Sequence, residues 1–239
     1  MNNIISLENK KLYTEEVILP SGATVELRGM KTQEMDILAS RRSMKDGNGI
    51  NEIAKNCIVS SVDFDYDSAL QGDRYSILIN IRRITYSGPY MFNISCPQCD
   101  NNSQFKVDLE SLPVKYLDGR PSTGLKFTMP RSEHNITYHL PTGREEREII
   151  KLRKNHPDYV LSLSLMCNID KIEGIPMKSL EWFKDLDACD VVAFKEELEE
   201  VGCGIETGLD LCCDSCGAEF ETELPITSNF FLPKKVKKV

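Results

Sequence analysis

The chain has no apolar run approaching the 18 or so uninterrupted residues a membrane-spanning helix needs, so no helical span is expected. Its opening, Met-Asn-Asn-Ile-Ile-Ser-Leu-Glu-Asn-Lys, lacks the basic stretch and apolar core of a secretory leader, which points to synthesis and folding in the cytosol. Histidine is scarce: His134, His139 and His156 are the only three, and none stands in an HExxH or other i,i+4 metal pair. No GxGxxG, GxxxxGKS or GxSxG motif is present, nor an HxE followed by PCxxC, so nucleotide-binding, hydrolase and deaminase chemistry all lack their signatures. A cationic excess is missing too. With 29 Lys and Arg against 37 Asp and Glu, the formal charge of −8 disfavours a phosphate backbone as the main partner. The absence of catalytic constellations predicts a non-enzymatic protein.

Cysteine is plentiful, with nine in 239 residues. Four form two C-x2-C knuckles, Cys96-Pro97-Gln98-Cys99 and Cys213-Asp214-Ser215-Cys216, each followed by a strand-like stretch. A two-residue spacer turns both sulfurs toward one ion, and four thiolates are what a structural Zn²⁺ requires. In a cytosolic chain a metal is a better expectation than a disulfide framework. A redox dithiol belongs at a strand-to-helix junction, whereas a strand follows here. Cys57, Cys167 and Cys189, in apolar helix-like contexts, read as buried free thiols. Cys203 and Cys212 flank the second knuckle and compete with it as candidate ligands.

Laid against itself, the sequence repeats an order of elements. Glu16 to Gly22 and Thr24 to Arg28 read as a hairpin, and Leu125 to Pro130 with Ile136 to Leu140 as its counterpart. Thr32 and Thr142 each stand as a helix cap ahead of acidic residues, and only Thr142 with Glu145 has capping-box spacing. Apolar helices around Cys57 and Cys167 follow, again 110 residues apart. A third helix, from an Asp cap to a Gly stop, is expected over 73–88 and again over 187–202, an offset of 114. Strand, knuckle and strand close each copy, with the knuckles 117 residues apart (96 to 213). The fold class expected is α+β, two tandem related repeats, each a β-hairpin, two or three helices and a cysteine-knuckle strand pair. The boundaries are an N-terminal arm 1–14, repeats over 15–115 and 116–227, and an aromatic, lysine-rich tail 228–239. Because each repeat carries one knuckle, the two would meet around one ion in a zinc-ribbon-like site. Two alternatives stand beside this: each knuckle takes ligands from a neighbouring chain, or Cys203 and Cys212 complete a local site.

The remaining polar signals read as structural. Asp63, Asp65 and Asp67 match the first ligand positions of a calcium loop, but Ser68 and Arg74 stand where glycine and glutamate are needed, leaving a solvated loop. Glu196, Glu197, Glu199 and Glu200 read as the wet face of a helix, and Trp182-Phe183 as a core anchor. At the end of the chain, two adjacent phenylalanines cannot both face one interior, so Phe230, Phe231 and Leu232, with Lys234 and Lys235 after them, are expected to dock on a partner.

Leu19-Pro20-Ser21-Gly22, Val25, Leu27-Arg28, Met30 and Thr32, then Gly72-Asp73-Arg74, and Tyr86-Ser87-Gly88-Pro89-Tyr90 leading into Cys96-Pro97-Gln98-Cys99, resemble the baseplate hub subunit family of T4-like contractile-tailed bacteriophages. The resemblance spans about residues 15 to 225, and Cys213 to Cys216 complete its cysteine pattern, with the adjacent Cys212 departing from it. It implies a structural or assembly component of the tail baseplate central hub, assembled in the host cytoplasm and working by binding. Implied partners are other hub, tube-initiating, tape-measure or wedge proteins, with a homo-oligomer compatible, and one structural Zn²⁺ per chain on Cys96, Cys99, Cys213 and Cys216. Two other readings stand: a zinc-ribbon nucleic-acid adaptor, and an assembly chaperone absent from the finished particle.

Overall fold

Alternating apolar and polar residues become a hairpin at the start of the chain, β1 (Thr14–Ile18) against β2 (Thr24–Arg28). The computed structural model describes residues 13–40, 48–59 and 64–232. Leu19, wholly buried at the hairpin tip, bonds through its amide to the Ala23 carbonyl (2.8 Å), and Gly22 takes the positive φ of 91° that the tight return demands. Helices α1 (Thr32–Ala39), α2 (Asn48–Cys57) and α3 (Gln71–Thr85) follow. The third is the axle of the first core: Ile77, Leu78, Ile79 and Ile81 are all buried, on more than one face. The hairpin β3 (Tyr90–Ser95) and β4 (Asn102–Val107) comes next, then the two-residue β5 (Val114–Lys115).

The second half opens on β6 (Leu125–Thr128) and β7 (Asn135–Tyr138), joined by β8 (Ile169–Ile172) in a three-stranded antiparallel sheet. Between β7 and β8 lie α4 (Gly143–Asn155) and α5 (Val160–Met166), and after them α6 (Leu180–Lys184) and α7 (Ala188–Val201). The chain then crosses back. β9 (Gly204–Ile205) pairs with β5, β10 (Gly208–Cys212) forms a hairpin with β11 (Glu219–Glu223), and the short α8 (Ser228–Phe231) ends the described chain. The fold is α+β, several hairpins and helices carrying a four-cysteine cluster.

Two apolar clusters form. The second draws only on residues from Leu125 to Leu198, centred on Met129, Tyr138, Ile169 and Phe194. The first contains the opening 112 residues' core and also Leu224, Phe230 and Phe231, with Ile205, Leu209, Leu211 and Ile226 packed on it. The last 29 described residues therefore complete the first core, although in sequence they follow the second.

Several expectations shift. The third helix of the first half starts at Gln71, so Asp73 is no cap; it sits in the first turn and its carboxylate accepts the Ser21 amide (2.9 Å). Thr32 is inside α1, whose cap is Lys31, while Thr142 caps α4 as its spacing predicts and accepts the Arg144 amide. Ile169, placed by its apolar neighbours in a helix, opens β8. Glu197 does not join a wholly wet face: it accepts the hydroxyl of buried Tyr138 at 2.5 Å. Asp65 accepts the Asp67 amide and the Ser68 hydroxyl, and Asp67 pairs with Lys55 and Arg147, so both are engaged within the chain. Asp63, the N-terminal arm up to residue 12, Lys234 and Lys235 lie outside the described residues.

Phe230 and Phe231 correct the expectation most directly. Both rings are fully buried in the chain's own first core. They stand edge to face 5.1 Å apart, and Phe230 meets Tyr90 edge to face at 4.8 Å. A helical turn separates the two side chains by about 100°, and a core that wraps around the end of the chain can cover both.

Candidate metal centre

Each knuckle is the turn of a hairpin, and the two turns are built alike. The Cys96 amide donates to the Asn101 carbonyl and the Asp100 amide to the Cys96 carbonyl, both at 2.9 Å. The Cys213 amide donates to Ala218 and the Gly217 amide to Cys213, again both at 2.9 Å. The fifth residue of each turn is left-handed, Asp100 at φ 57° and Gly217 at φ 72°, which lets the strand resume after two sulfurs have been turned inward. The first cysteine of each pair, Cys96 and Cys213, is buried; the second, Cys99 and Cys216, is exposed.

The hairpins bring these turns together. Cys96 Sγ lies 3.7 Å from Cys216 Sγ, and Cys99 Sγ 3.7 Å from Cys213 Sγ. All four sulfurs fall within 4.8 Å of one another. Disulfide sulfurs would be about 2.05 Å apart, so these are free thiols. Four sulfurs each about 2.3 Å from a tetrahedral Zn²⁺ would be separated by about 3.8 Å. The donor set and its spacing fit a metal ion. Short contacts run from the first cysteine of one turn to the second of the other, in both directions, as in two hairpins related by a local twofold. Behind the cluster, Phe105 of β4 and Phe220 of β11 meet edge to face at 6.2 Å.

The electrostatics are compatible with a cation. The backbone amides of Cys216 and Ser215 point at the Cys213 sulfur and lower its thiol to about 6. At Cys216 the Ala218 amide acts in the same sense, but the neighbouring Cys99, Cys213 and Cys96 sulfurs outweigh it and push the thiol up to about 12. The first proton leaves easily and the last does not, because negative charge accumulates in one small volume; a divalent ion removes that obstacle.

Cys203 and Cys212, the competing candidates, stay outside the cluster: Cys203 is half-buried where the two halves meet, and Cys212 is exposed on the β10 edge with its sulfur 3.7 Å from the Gly217 carbonyl. Cys57 is buried at the end of α2, with burial pushing its thiol up to about 12, and Cys167 is buried likewise, pushed up to about 11. Cys189 is exposed near the start of α7, against expectation.

Sequence reasoning missed the groups that meet residues 204–232, the arm that carries the second knuckle. Tyr90 donates its hydroxyl to the Pro225 carbonyl (3.2 Å) and Tyr86 donates to the Phe231 carbonyl (3.0 Å). Arg82 stacks between Tyr86, Tyr90 and Phe230, with its guanidinium carbon 4.4, 5.5 and 6.0 Å from the ring centres. Tyr86 and Tyr90 flank the Gly88 that reads as a helix stop, and nothing local in the sequence marks their hydroxyls for this role.

The protein-family model described as T4 bacteriophage base plate protein matches residues 12–232. No curated protein and no solved structure matches the chain.

Proposed function

The chain belongs to the T4 bacteriophage base plate protein family, and from that premise we propose that it is a structural or assembly component of the central hub of a phage tail baseplate. The family is one of structural proteins and not of enzymes. The observation that carries the proposal is the extent of the match: residues 12–232 take in both cores and both cysteine hairpins. Among the described residues no helix is long and apolar enough to cross a membrane. The work is done by protein–protein binding, with other hub, tube-initiating, tape-measure or wedge proteins as partners.

In this reading Cys96, Cys99, Cys213 and Cys216 hold one structural Zn²⁺ that pins the β10–β11 hairpin to the β3–β4 hairpin. The four-thiol geometry supports it. The halves are also read as copies of one ancestral unit, 15–115 and 116–227. Pairing supports this: Ser95 with Asn102 and Ile94 with Ser103 become, at an offset of 117, Cys212 with Glu219 and Leu211 with Phe220. Asp73 and Asp190, also 117 apart, each sit in a first helical turn and accept amides from a hairpin tip.

Two measurements test the proposal. Native mass spectrometry of the reduced chain is expected to find one Zn²⁺ per chain, lost in the Cys213→Ser/Cys216→Ser double variant. In cells infected by phage lacking this gene, the wild-type chain is expected to restore assembled baseplates, counted by electron microscopy. Recovery of the chain in purified baseplates identifies a subunit, and its absence from them an assembly factor. Salt-dependent DNA or RNA binding that survives deletion of residues 234–239, without rescue of assembly, would overturn the hub reading in favour of a nucleic-acid adaptor.

A further inference from the structure

Residues 204–232 follow the second core in the chain and pack with the first. β9 pairs with β5, and Glu206 donates its amide to the Pro113 carbonyl at 2.8 Å. Leu209, Leu211 and Ile226 rest on the first cluster, and Leu224, Phe230 and Phe231 are part of it. No residue of this arm belongs to the second cluster, whose last member is Leu198. Three fastenings hold it: the four-thiol cluster near its middle, the Tyr90 hydroxyl on Pro225, and the Tyr86 hydroxyl on Phe231.

One contact works against closure. Arg82 is 93% buried beneath the arm (7% exposed), and its Nε and Nη1 have no hydrogen-bond partner. Among the described residues its guanidinium meets the ring faces of Tyr86, Tyr90 and Phe230, the last of which belongs to the arm. A cation–π contact recovers part of what a buried cation loses in leaving water, and among the described residues no carboxylate pairs with Arg82 to supply the rest. With the arm lifted, Arg82 regains water.

We infer that residues 204–232 form a metal-latched clasp: an arm that closes on the first core as one unit when the four thiols share an ion, and opens as one unit when they do not. The cost placed on closure by Arg82 makes the latch decisive, since apolar packing of the arm is partly offset at Phe230. Opening uncovers the aromatic wall of Tyr90, Phe92 and Phe105 in the first core and leaves the second core folded. The clasp rests on the zinc reading given above.

The test is hydrogen–deuterium exchange of the full reduced chain, zinc-loaded against chelator-treated, with metal content checked by native mass spectrometry on the same samples. Chelation is expected to speed exchange about tenfold or more through 208–232, Phe230 and Phe231 included, while peptides from 125–198 keep their rates. Zinc bound, but faster exchange confined to the turns 96–101 and 213–218, would overturn the clasp and leave the metal a local staple. Spread of the change into 125–198 would overturn it equally, making the ion a support for the whole fold. A chain that binds no zinc would fail earlier, at the metal reading, and take the latch with it. The Arg82→Met variant, which removes the buried cation and keeps the bulk, is expected to hold 225–232 protected even after chelation. Wild-type behaviour in that variant would overturn the role given to Arg82.

Discussion

Buried charge among the described residues is concentrated in six side chains, Arg28, Glu34, Asp73, Arg74, Arg82 and Asp190, and the most complete pairing is that of Glu34 with Arg28. Glu34 is fully buried in α1, and both its oxygens meet the Arg28 guanidinium, at 2.9 and 3.0 Å. Burial alone would raise the Glu34 carboxyl; the Arg28 guanidinium, the Lys31 amide and the Gln33 side chain outweigh it and pull it down to about 2. A carboxylate depressed below its unfolded value stabilises the fold above that value and loses the contribution as protons return. The pair's contribution is therefore expected to be intact above about pH 4.5 and to drain away toward pH 2. Glu34→Gln leaves the Arg28 cation buried against a neutral amide and is expected to cost about 3–5 kcal/mol at pH 7. Urea unfolding at pH 7 and pH 3 checks both: the gap between wild type and variant should shrink in acid. Neither partner stood out in the sequence, because Arg28 ends a strand and Glu34 resembles an ordinary acidic residue of a first helical turn.

At the scale of elements, hairpin tips are fixed to helix starts by single carboxylates. Asp190, fully buried in the first turn of α7, accepts the amides of Arg131 (2.6 Å) and Ser132 (3.0 Å) at the β6–β7 tip. Asp73 makes one such bond, to Ser21. The difference shows in their titration. Burial tends to raise both, but two amides outweigh it at Asp190, which is lowered, while at Asp73 burial prevails and its carboxyl is raised. Stability from Asp190 is thus lost as pH falls, and any from Asp73 is lost as pH rises through its folded value. Asp190→Ala orphans two amides and removes a charged acceptor, with an expected cost of about 2–3 kcal/mol. Exchange protection should fall around 129–138, and unchanged protection there would dismiss the tie. Helix and strand positions were largely legible in the sequence, since caps, Gly-containing turns and alternation are local signals. The two-residue strands β5 and β9 were not: Val114–Lys115 and Gly204–Ile205 are strands only because the halves meet there.

Across the whole molecule, the halves meet where α3 begins. Gln71 donates its amide to the Pro141 carbonyl and Gly143 to Ala69, while Arg74 pairs with Glu146. Gly72 is pressed against the crossing to the clasp, so that a Cβ there would lie 1.9 Å from the Cys203 carbonyl oxygen. That neighbour is backbone and cannot swing aside. Gly72→Ala is expected to push α3 and β9 apart, cost about 1–3 kcal/mol or more, and lower the melting temperature of the zinc-loaded chain. An unaltered melting temperature would show that the crossing tolerates movement.

The sequence by itself determined the α+β class, most of the elements, the four cysteines and the family, because each is written in local spacing or in an ordered string of short motifs. Only the tertiary structure decided where the end of the chain belongs. Phe230 and Phe231 have the same composition and spacing whether they reach for a partner or fold inward. Their burial depends on Tyr86 and Tyr90, about 140 residues earlier in the chain, with Tyr86 separated from Phe231 by 145. The physical reason is that burial is a property of the surface an element meets, which local sequence does not encode.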